Sequence, residues 1–328
     1  MTDIHLINPL WNSAGGSEQR TVALYRLLAP HANVTLWSTS RPDPTLAAEY
    51  PIRRIRPWLW QFPKRGTLVF VGVYFWLTSW VRLIRPGRCI VIYNTRSEIE
   101  LETFLFRIAG RYTHRIEMVY ASAETRIAAG RPGVVQESPI DLERFRPRPA
   151  PVGRPFTVGR LSRDTADKFH PNAGNFLRRL AEDGMQIRVM GGMWLRDQVG
   201  QTPGVTLLPA LNMPAEDFLA GLDCFYYRTH PTWHETFGRV VFEAMASGVV
   251  PVVEARGDYA AYIRHGENGF LFTTEDEAHA QLCLLRDDPE RRAAMARAAR
   301  LMVERMYDES YKARLIAYYT RPTPVAAT

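Results

Sequence analysis

Short apolar runs alternate with longer segments of mixed polarity along the N-terminal part of the chain. Each run is typical of a buried strand, and apolar residues near helical spacing, such as Val22, Leu24 and Leu28, predict helices between the strands. We expect an apolar helix to join the strands at 67–73 and 89–93. The predicted strands occupy residues 4–8, 34–38, 67–73, 89–93, 118–122 and 134–137, and a further helix is predicted at 102–111.

The same alternation resumes after a break. Residues 145–155 carry four prolines and no apolar period, which is typical of a linker. Strands alternating with helices predict a parallel sheet covered on both faces, once on each side of the break. The fold class is therefore α/β, with domains at 1–147 and 153–305 and a C-terminal segment at 306–320. The later predicted strands are 156–161, 186–191, 205–208, 224–228 and 249–253, and the later predicted helices are 175–182, 215–222, 289–307 and 311–319.

Residues 230–248, His-Pro-Thr-Trp-His-Glu-Thr-Phe-Gly-Arg-Val-Val-Phe-Glu-Ala-Met-Ala-Ser-Gly, combine two carboxylates with a helix start. Gly238 opens the apolar helical run, Glu235 precedes it and Glu243 lies within it. A helix start suits a diphosphate, and ionised carboxylates accept hydrogen bonds from hydroxyls. A nucleotide sugar offers hydroxyl-rich groups on both sides of a diphosphate. The alternative is an ordinary amphipathic helix with two surface acids.

This segment resembles the Glu-x7-Glu signature of the retaining family 4 glycosyltransferases, which have the GT-B fold. The match includes Glu-Thr-Phe-Gly, Phe-Glu-Ala-Met-Ala-Ser-Gly, a valine-rich strand and Gly-Glu-Asn-Gly-Phe-Leu at 266–271. The resemblance implies two Rossmann-like domains with parallel sheets facing an interdomain cleft. The first domain would bind the acceptor and the second the nucleotide sugar, and the C-terminal helix would cross back to the first domain.

Gly-Arg-Leu at 159–161, followed by Lys168, resembles the family element whose arginine and lysine hold the donor diphosphate. Cations at this place stabilise the charge that grows on the leaving group as the glycosidic bond breaks. Two alternatives are open from the residues themselves. Arg160 could cap a surface loop, and Arg163 could serve as the second cation instead of Lys168.

The resemblance also implies roles for the residues around the two glutamates. Glu243 would accept hydrogen bonds from the ribose and Glu235 from the donor sugar, while the base would lie against 208–211. Trp233 and His234 either shape the sugar pocket or pack within the loop. The predicted catalytic residues are Arg160, Lys168 and Glu235. The predicted donor-binding residues are Gly15, Gly16, Arg160, Lys168, Pro209, Leu211, Glu235, Thr236, Phe237, Gly238 and Glu243.

Two features of the first domain are assigned by the same resemblance. Gly15 and Gly16 match the family's glycine pair, which lets the backbone approach a phosphate or an acceptor, with a plain turn as the alternative. Asn94 stands where many relatives have a histidine. Two explanations are open: the donor sugar is a different one, such as a deoxy sugar, or the alignment is shifted. We group Asn94 with Trp233 and His234 in a candidate sugar or acceptor pocket.

The resemblance further implies a mechanism of front-face attack by the acceptor hydroxyl, with the departing phosphate oxygen taking the proton. Catalysis then depends on positioning and on stabilisation of the leaving group. The family needs no Asp-x-Asp metal site, and no metal-ligand cluster is evident from the spacing. No cofactor is expected, because the nucleotide sugar is a substrate, whose base is left open among GDP, UDP and dTDP.

Composition and charge indicate the cellular compartment in which the protein works. The chain has 328 residues and a net charge of +7, and its three scattered cysteines favour a reducing compartment. The N-terminus does not resemble a signal peptide, and no apolar run is long enough to span a bilayer. These observations predict a cytoplasmic protein.

The residues from 50 to 97 contain no Asp or Glu, although they are rich in arginine and tryptophan. Basic residues attract anionic head groups and Trp prefers the water–lipid boundary, so the 53–88 region predicts contact with the inner face of the plasma membrane. The alternatives are a solvated basic face with buried tryptophans, or a nucleic-acid patch, for which no recognition motif is present. The residues in question are Arg53, Arg54, Arg56, Lys64, Arg65, Arg82, Arg85, Arg88 and Arg96, with Trp58, Trp60, Trp76 and Trp80.

These features together predict a metal-independent hexosyl- or deoxyhexosyltransferase that retains configuration. It would move a sugar from a nucleotide-diphosphate sugar to a hydroxyl of a glycan acceptor, lipid-linked, in cell-surface polysaccharide synthesis. A non-catalytic nucleotide-sugar-binding protein and a GT-B enzyme of other chemistry, such as an epimerase, are the alternatives.

Overall fold

The computed structural model describes residues 2–77, 79–84, 86–112, 116–149 and 153–322. The chain forms two compact units. Unit 1 comprises residues 1–139 together with 308–328, and unit 2 comprises residues 140–307. The division after residue 139 precedes the proline-rich segment at 145–155, so this segment belongs to unit 2.

Unit 1 is built on a parallel sheet of seven strands among the described residues, in the order β3-β2-β1-β4-β5-β6-β7. The order reverses between β1 and β4, and ligands of open α/β sheets bind at the carboxyl ends of the strands beside such a reversal. The strands are β1 Asp3–Asn8, β2 Asn33–Ser38, β3 Ile52–Arg54, β4 Thr67–Val71, β5 Arg88–Tyr93, β6 Ile116–Tyr120 and β7 Val134–Val135. The helices are α1 Gly16–Leu28, α2 Pro44–Glu49, α3 Glu98–Tyr112 and α4 Ala123–Ala129.

Unit 2 repeats this plan with a parallel sheet of six strands within the described ranges, in the order β10-β9-β8-β11-β12-β13. Here the order reverses between β8 and β11. The strands are β8 Thr157–Leu161, β9 Gln186–Met190, β10 Val205–Leu208, β11 Cys224–Tyr227, β12 Val250–Glu254 and β13 Phe270–Phe272. The helices are α5 Ala173–Glu182, α6 Arg196–Val199, α7 Ala215–Ala220, α8 Arg239–Ala246, α9 Glu275–Asp287 and α10 Pro289–Met306.

The strands consist mainly of continuous apolar runs, because helices and loops cover both faces of each sheet. All five residues of β4 are buried, and so are four of the five in β12. The core of unit 1 includes Phe70, Trp80 and Phe104, and that of unit 2 includes Phe176, Val189 and Tyr226. The strand cores therefore follow the apolar runs of the sequence.

The expected apolar helix between β4 and β5 is a wrong prediction. Among the described residues of this connection, a single 3-10 turn at Ser79–Arg82 is the only helical segment. Val73, Phe75, Trp80 and Ile84 all reach the core of unit 1. Their spacing of two, five and four residues does not follow one helix face, so irregular chain brings the apolar residues to the sheet without helical hydrogen bonds.

A last helix, α11 Glu309–Thr320, belongs to unit 1 and packs against α1. Tyr319 donates its hydroxyl to Gln136 Oε1 at 2.8 Å, and Tyr311 donates to the carbonyl of Glu137 at 2.7 Å. Asp308 caps the helix by accepting a hydrogen bond from the amide of Tyr311 at 2.8 Å. These contacts tie the C-terminal helix to residues that follow β7.

Over the part of the chain that the structure describes, no helix has both the length and the apolar character needed to cross a membrane.

Candidate functional site

The reversal of strand order in unit 2 places β8 beside β11. The two strands run parallel, with Cys224 opposite Val158 and Phe225 opposite Gly159. Because parallel neighbours end at the same edge of a sheet, Arg160 on β8 and Tyr227 on β11 lie close together. The loops that follow these two strands carry five of the predicted donor-binding residues, Lys168, Glu235, Thr236, Phe237 and Gly238.

Arg160 is buried, with 2% of its surface exposed. Its two terminal nitrogens donate to the backbone carbonyls of Arg228 and Lys168, and its guanidinium lies 4.7 Å from the ring centres of Phe169 and Tyr227. Burial lowers its pKa. Arg160 thus fastens the loop that carries Lys168 to the end of β11. The predicted contact of Arg160 with a diphosphate stays a prediction, since these nitrogens face protein carbonyls.

Lys168 ends a 3-10 turn at Ala166–Lys168 and is buried against Glu235. Its Nζ atom donates to Glu235 Oε2 at 2.6 Å and lies 4.3 Å from the centre of the Trp233 ring. The same Oε2 atom accepts hydrogen bonds from Tyr227 Oη at 2.8 Å and from Trp233 Nε1 at 3.2 Å. We call Lys168, Tyr227, Trp233 and Glu235 the Lys–Glu cluster.

Electrostatics keep Glu235 ionised. Burial opposes its ionisation, but the charge and hydrogen bond of Lys168, aided by Tyr227 and Trp233, outweigh burial and lower the pKa of Glu235. Burial lowers the pKa of Lys168, and Glu235 opposes that decrease. The cluster therefore presents a fixed carboxylate that can accept hydroxyl hydrogen bonds, beside a cation that can meet a phosphate.

The start of α8 requires a glycine. Gly238 has a φ of 70°, and a Cβ atom at this position would lie 2.5 Å from Cδ1 of Tyr259. No side chain caps α8 within the described structure. The buried residues Thr236 and Phe237 lead into this turn, and the Phe237 ring stacks on Phe242 at 4.4 Å. The helix start is thereby held in one place, next to Glu235.

Glu243 lies in the second turn of α8 and is 6% exposed. It accepts a hydrogen bond from Arg239 Nε at 2.8 Å. Burial raises the pKa of Glu243, although Arg239 and Arg144 oppose the increase. The carboxylate predicted to bind ribose is thus already held by a neighbouring arginine of the same helix.

A second set of contacts supports the loop at 228–236, and sequence reasoning missed it. Asp258, also buried, pairs with His234 Nε2 at 2.6 Å and donates its amide to the carbonyl of Glu235 at 2.9 Å. Arg256 donates to the carbonyl of Trp233 at 2.8 Å and to three other carbonyls of the loop. These residues follow β12, the neighbour of β11, so only the sheet order reveals their proximity.

The remaining donor-side predictions lie farther along the sheet. Pro209 and Leu211 follow β10, which β9 separates from β8. Both residues are exposed, and Leu211 adopts a positive φ of 62°. The predicted contact of these two residues with the base stays a prediction.

Gly15, Gly16 and Asn94 belong to unit 1, where they follow the carboxyl ends of β1 and β5. Gly15 caps α1, and a Cβ there would lie 2.1 Å from Oε2 of the buried Glu18, whereas a Cβ at Gly16 would meet nothing within 4 Å. Asn94 Oδ1 accepts a hydrogen bond from Arg20 Nη1 at 2.8 Å. Asn94 is thus held by α1.

Arg20 is a buried cation that sequence reasoning missed. It is 2% exposed and donates its Nη2 to the carbonyl of Gln136 at 2.6 Å. It stands four residues before Leu24 and eight before Leu28, on the apolar face of α1. This position on the helix was the signal that the sequence offered, because a cation that faces the core needs polar partners around it.

The sequence prediction of no metal site is untested, but one mixed cluster of side chains forms in unit 2. The donor atoms of Asp183, His279 and Cys283 lie within 4.8 Å of one another, and His279 Nε2 is 2.5 Å from Asp183 Oδ2. The hydrogen bond from His279 and the positive charges of Arg286 and Arg179 lower the pKa of Asp183.

The chain is similar to known glycosyltransferases in part of its sequence and in its fold. The family described as glycosyl transferases group 1 matches residues 196–302, which include α8 and every member of the Lys–Glu cluster except Lys168. This match covers about a third of the chain. It is 35% identical over 92 residues to a D-inositol 3-phosphate glycosyltransferase of Thermomonospora curvata. That alignment covers 27% of this chain and 21% of the relative's length.

Solved structures resemble the whole chain. The structure of Anabaena HepE in complex with UDP-glucose has a TM-score of 0.73 at 16% identity, with 97% of this chain and 99% of that chain covered. WaaG, a glycosyltransferase involved in lipopolysaccharide biosynthesis, has a TM-score of 0.71 at 13% identity, with 97% and 100% covered. The predicted fold of two parallel-sheet Rossmann-like domains, as in GT-B glycosyltransferases, is confirmed.

Proposed function

We propose that the protein is a retaining glycosyltransferase that moves a sugar from a nucleotide-diphosphate sugar to a hydroxyl of a glycan acceptor. The Lys–Glu cluster carries this proposal. It lies at the strand reversal of unit 2, and its Glu235 and Trp233 are in the stretch that matches the glycosyl transferases group 1 family. The chemistry of the cluster fits a donor that has hydroxyls and a diphosphate in one molecule.

Each member of the cluster has a chemical role in this proposal. Glu235 accepts hydrogen bonds from sugar hydroxyls, since Lys168 keeps it ionised and Tyr227 and Trp233 hold its Oε2 in place. Lys168 meets the β-phosphate and stabilises the charge that develops there as the glycosidic bond breaks. Arg160 acts through the backbone, because it fixes the loop that carries Lys168. In this proposal Lys168, the cation that stabilises the leaving group, is therefore in place before the donor binds.

In this proposal the transfer retains the anomeric configuration. The acceptor oxygen attacks the anomeric carbon on the face from which the diphosphate departs, and the departing phosphate oxygen takes the acceptor proton. The new glycosidic bond forms as the bond to phosphate breaks, so the anomeric configuration is kept. Glu235 is proposed to act in this step as a hydrogen-bond acceptor and not as a nucleophile, with its Oε2 atom held by three donors.

The acceptor in this proposal is lipid-linked, and the reaction takes place at the inner face of the plasma membrane. Trp58 and Trp76 are 71% and 77% exposed, and Trp60 is also exposed, whereas Trp80 is buried in the core. The guanidinium of Arg107 lies 3.9 Å from the centre of the Trp76 ring. Exposed tryptophans among cations suit a lipid interface. Arg85, also assigned to this region, lies outside the described residues.

The proposal is tested by incubating the full chain with UDP-, GDP- and dTDP-linked sugars, with and without lipid-linked glycan acceptors. We expect one donor to release its nucleoside diphosphate only when an acceptor is present. Nuclear magnetic resonance of the early product then shows the same anomeric configuration as the donor. Donor binding without any turnover would instead favour the non-catalytic alternative, and an inverted product would exclude the retaining mechanism.

A further inference from the structure

Unit 1 contains a cavity that the proposed transfer reaction does not use. Its volume is about 930 Å³, and it is lined mainly by residues of β2 and β3 and of the segments that follow these strands. Trp37 on β2 and Arg53 on β3 stand opposite each other in the strand register, so they contribute to one wall. Arg41 and Pro42, from the loop after β2, line it as well.

The cavity is lined by five cations and no carboxylate. Within the described structure, no ion pair or side-chain hydrogen bond joins any of the five to an acidic residue. Neighbouring like charges repel one another, and a bound anion relieves that repulsion. The guanidinium groups can also grip a phosphate through two parallel N–H donors each. The five side chains, all exposed, are Arg41, Arg53, Arg54, Arg56 and Lys64.

Aromatic rings line another part of the wall. Trp37, Trp60 and Phe62 line the cavity. Trp37 Nε1 donates to His5 Nδ1 at 3.1 Å, which fixes the indole ring. Trp60 is exposed and has a positive φ of 57°, which a bulky residue adopts rarely. A ligand that combines an anionic group with an apolar or sugar face would use both parts of this surface.

We propose that this cavity binds the phosphate group of an anionic ligand, with the adjoining part of the ligand against Trp37 and Trp60. Five cations at one cavity favour a group with more than one negative charge, such as a phosphate monoester or a pyrophosphate, over a single carboxylate. The site concerns unit 1 alone and does not depend on the transferase reaction. The phosphate comes from a soluble phosphorylated compound or from a lipid head group, and the two sources share this chemistry.

Inorganic pyrophosphate is the probe, and the eight indole N–H signals of the 15N-labelled full chain are the readout. Each signal is assigned through a Trp→Phe variant. We expect pyrophosphate to shift the signals of Trp37 and Trp60, which line the cavity. Trp233 reports separately on the Lys–Glu cluster.

The Arg53→Gln, Arg54→Gln, Arg56→Gln triple variant should bind pyrophosphate roughly tenfold more weakly at these two signals, because charged hydrogen-bond partners are lost. A matched control removes the same charge from exposed arginines elsewhere. If the triple variant does not fold, the single Arg53→Gln and Arg56→Gln variants give the same comparison. The control substitutions are Arg126→Gln, Arg297→Gln and Arg305→Gln.

Vesicles distinguish the two sources of phosphate. Phosphatidylcholine vesicles with and without phosphatidylglycerol are added to the wild-type and triple-variant proteins. Loss of vesicle binding in the triple variant identifies a head group, whereas pyrophosphate binding without vesicle binding identifies a soluble ligand. The proposal is overturned if pyrophosphate shifts only Trp233 or no signal, or if the control variant weakens binding as much as the triple variant. No nucleotide sugar is used, so that result leaves the transferase proposal standing.

Discussion

Lys168 Nζ and Glu235 Oε2 lie 2.6 Å apart, and the side chains are only 8% and 17% exposed. A buried ion pair is costly to break from one side, because the remaining charge is left without its partner. The pair comes from two loops after adjacent strands, so the folding of unit 2 and its proposed donor chemistry depend on the same two residues. Its structural and catalytic roles can be separated by replacing one partner or both.

Lys168→Met alone should lower the free energy of unfolding by roughly 3–5 kcal/mol, since Glu235 then stays buried and charged. The double variant Lys168→Met, Glu235→Gln should recover most of that stability but not the activity, because no cation then meets the leaving group. Urea unfolding and nucleoside diphosphate release are the two measurements. Lys312, paired with Glu309 at 2.6 Å on an exposed surface, is the matched control, and Lys312→Met should change neither quantity appreciably.

Recovery of turnover in the double variant would show that the pair is only structural. If Lys168→Met alone were as stable as the wild type, the burial argument itself would be wrong.

The pH dependence of stability gives an independent check on Glu235. In the folded protein, Lys168 holds the pKa of Glu235 below the value of about 4.5 expected for the unfolded chain, although burial acts in the opposite direction. The stabilisation is therefore fully present above pH 4.5 and is lost as the pH falls through the folded-state pKa. Urea unfolding from about pH 7 to about pH 3 should show the wild type losing stability faster than Glu235→Gln. Parallel curves for the two proteins would contradict a lowered pKa.

Glu243 allows a test of donor binding with a close internal control. Glu243→Ala should weaken binding of the nucleotide sugar by roughly 1–3 kcal/mol if its carboxylate accepts ribose hydroxyls in place of Arg239. Glu304→Ala removes a similar arginine–glutamate pair, Arg300 Nε to Glu304 Oε1 at 2.7 Å, from another helix of unit 2. Isothermal titration with the active donor should show a loss for Glu243→Ala only. Equal donor affinities of Glu243→Ala and the wild type would show that Glu243 does not take part in donor binding.

The sequence anticipated those parts of the site that lie on one continuous segment. Glu235, Gly238 and α8 follow one another, so the start of the helix could be placed from apolar spacing and glycine positions. Tyr227 and Asp258 could not be found in this way, because Tyr227 lies on β11 and Asp258 follows β12, and only the sheet order brings the two beside Glu235. Their contacts depend on tertiary pairing, which leaves no periodic trace in the chain.

Prediction of the fold from the sequence has the same limit. The buried strands β4 and β12 follow apolar runs, whereas β3 was missed because two of its three residues are exposed arginines. Its pairing with β2 defines it, not its composition. The irregular connection after β4 looked helical since it is apolar, although its core residues do not share one helix face. Apolar content predicted burial there but not conformation.

Gly238→Ala tests whether the start of α8 depends on a left-handed glycine. The added Cβ would meet Tyr259 Cδ1 at 2.5 Å and also forces a positive φ on alanine, so we expect a loss of roughly 1–3 kcal/mol in stability and weaker donor binding. Gly130 has a φ of 60° with nothing within 4 Å of its added Cβ. Gly130→Ala therefore measures the backbone effect alone, and equal losses in thermal unfolding for the two variants would eliminate the Tyr259 contact as a cause.

The exposed tryptophans of unit 1 give the last prediction. Replacing Trp58 and Trp76 together by serine should reduce partitioning onto phosphatidylglycerol-containing vesicles roughly tenfold, because two large interfacial side chains are lost. Trp11 and Trp194 are 58% and 56% exposed and lie outside the basic region, so their double serine variant is the control. Co-sedimentation measures the binding. The pyrophosphate response at Trp60 should persist in the Trp58, Trp76 variant, since neither of these residues lines the cavity. Vesicle binding that is equal in the wild type and both variants would exclude these tryptophans as a membrane contact.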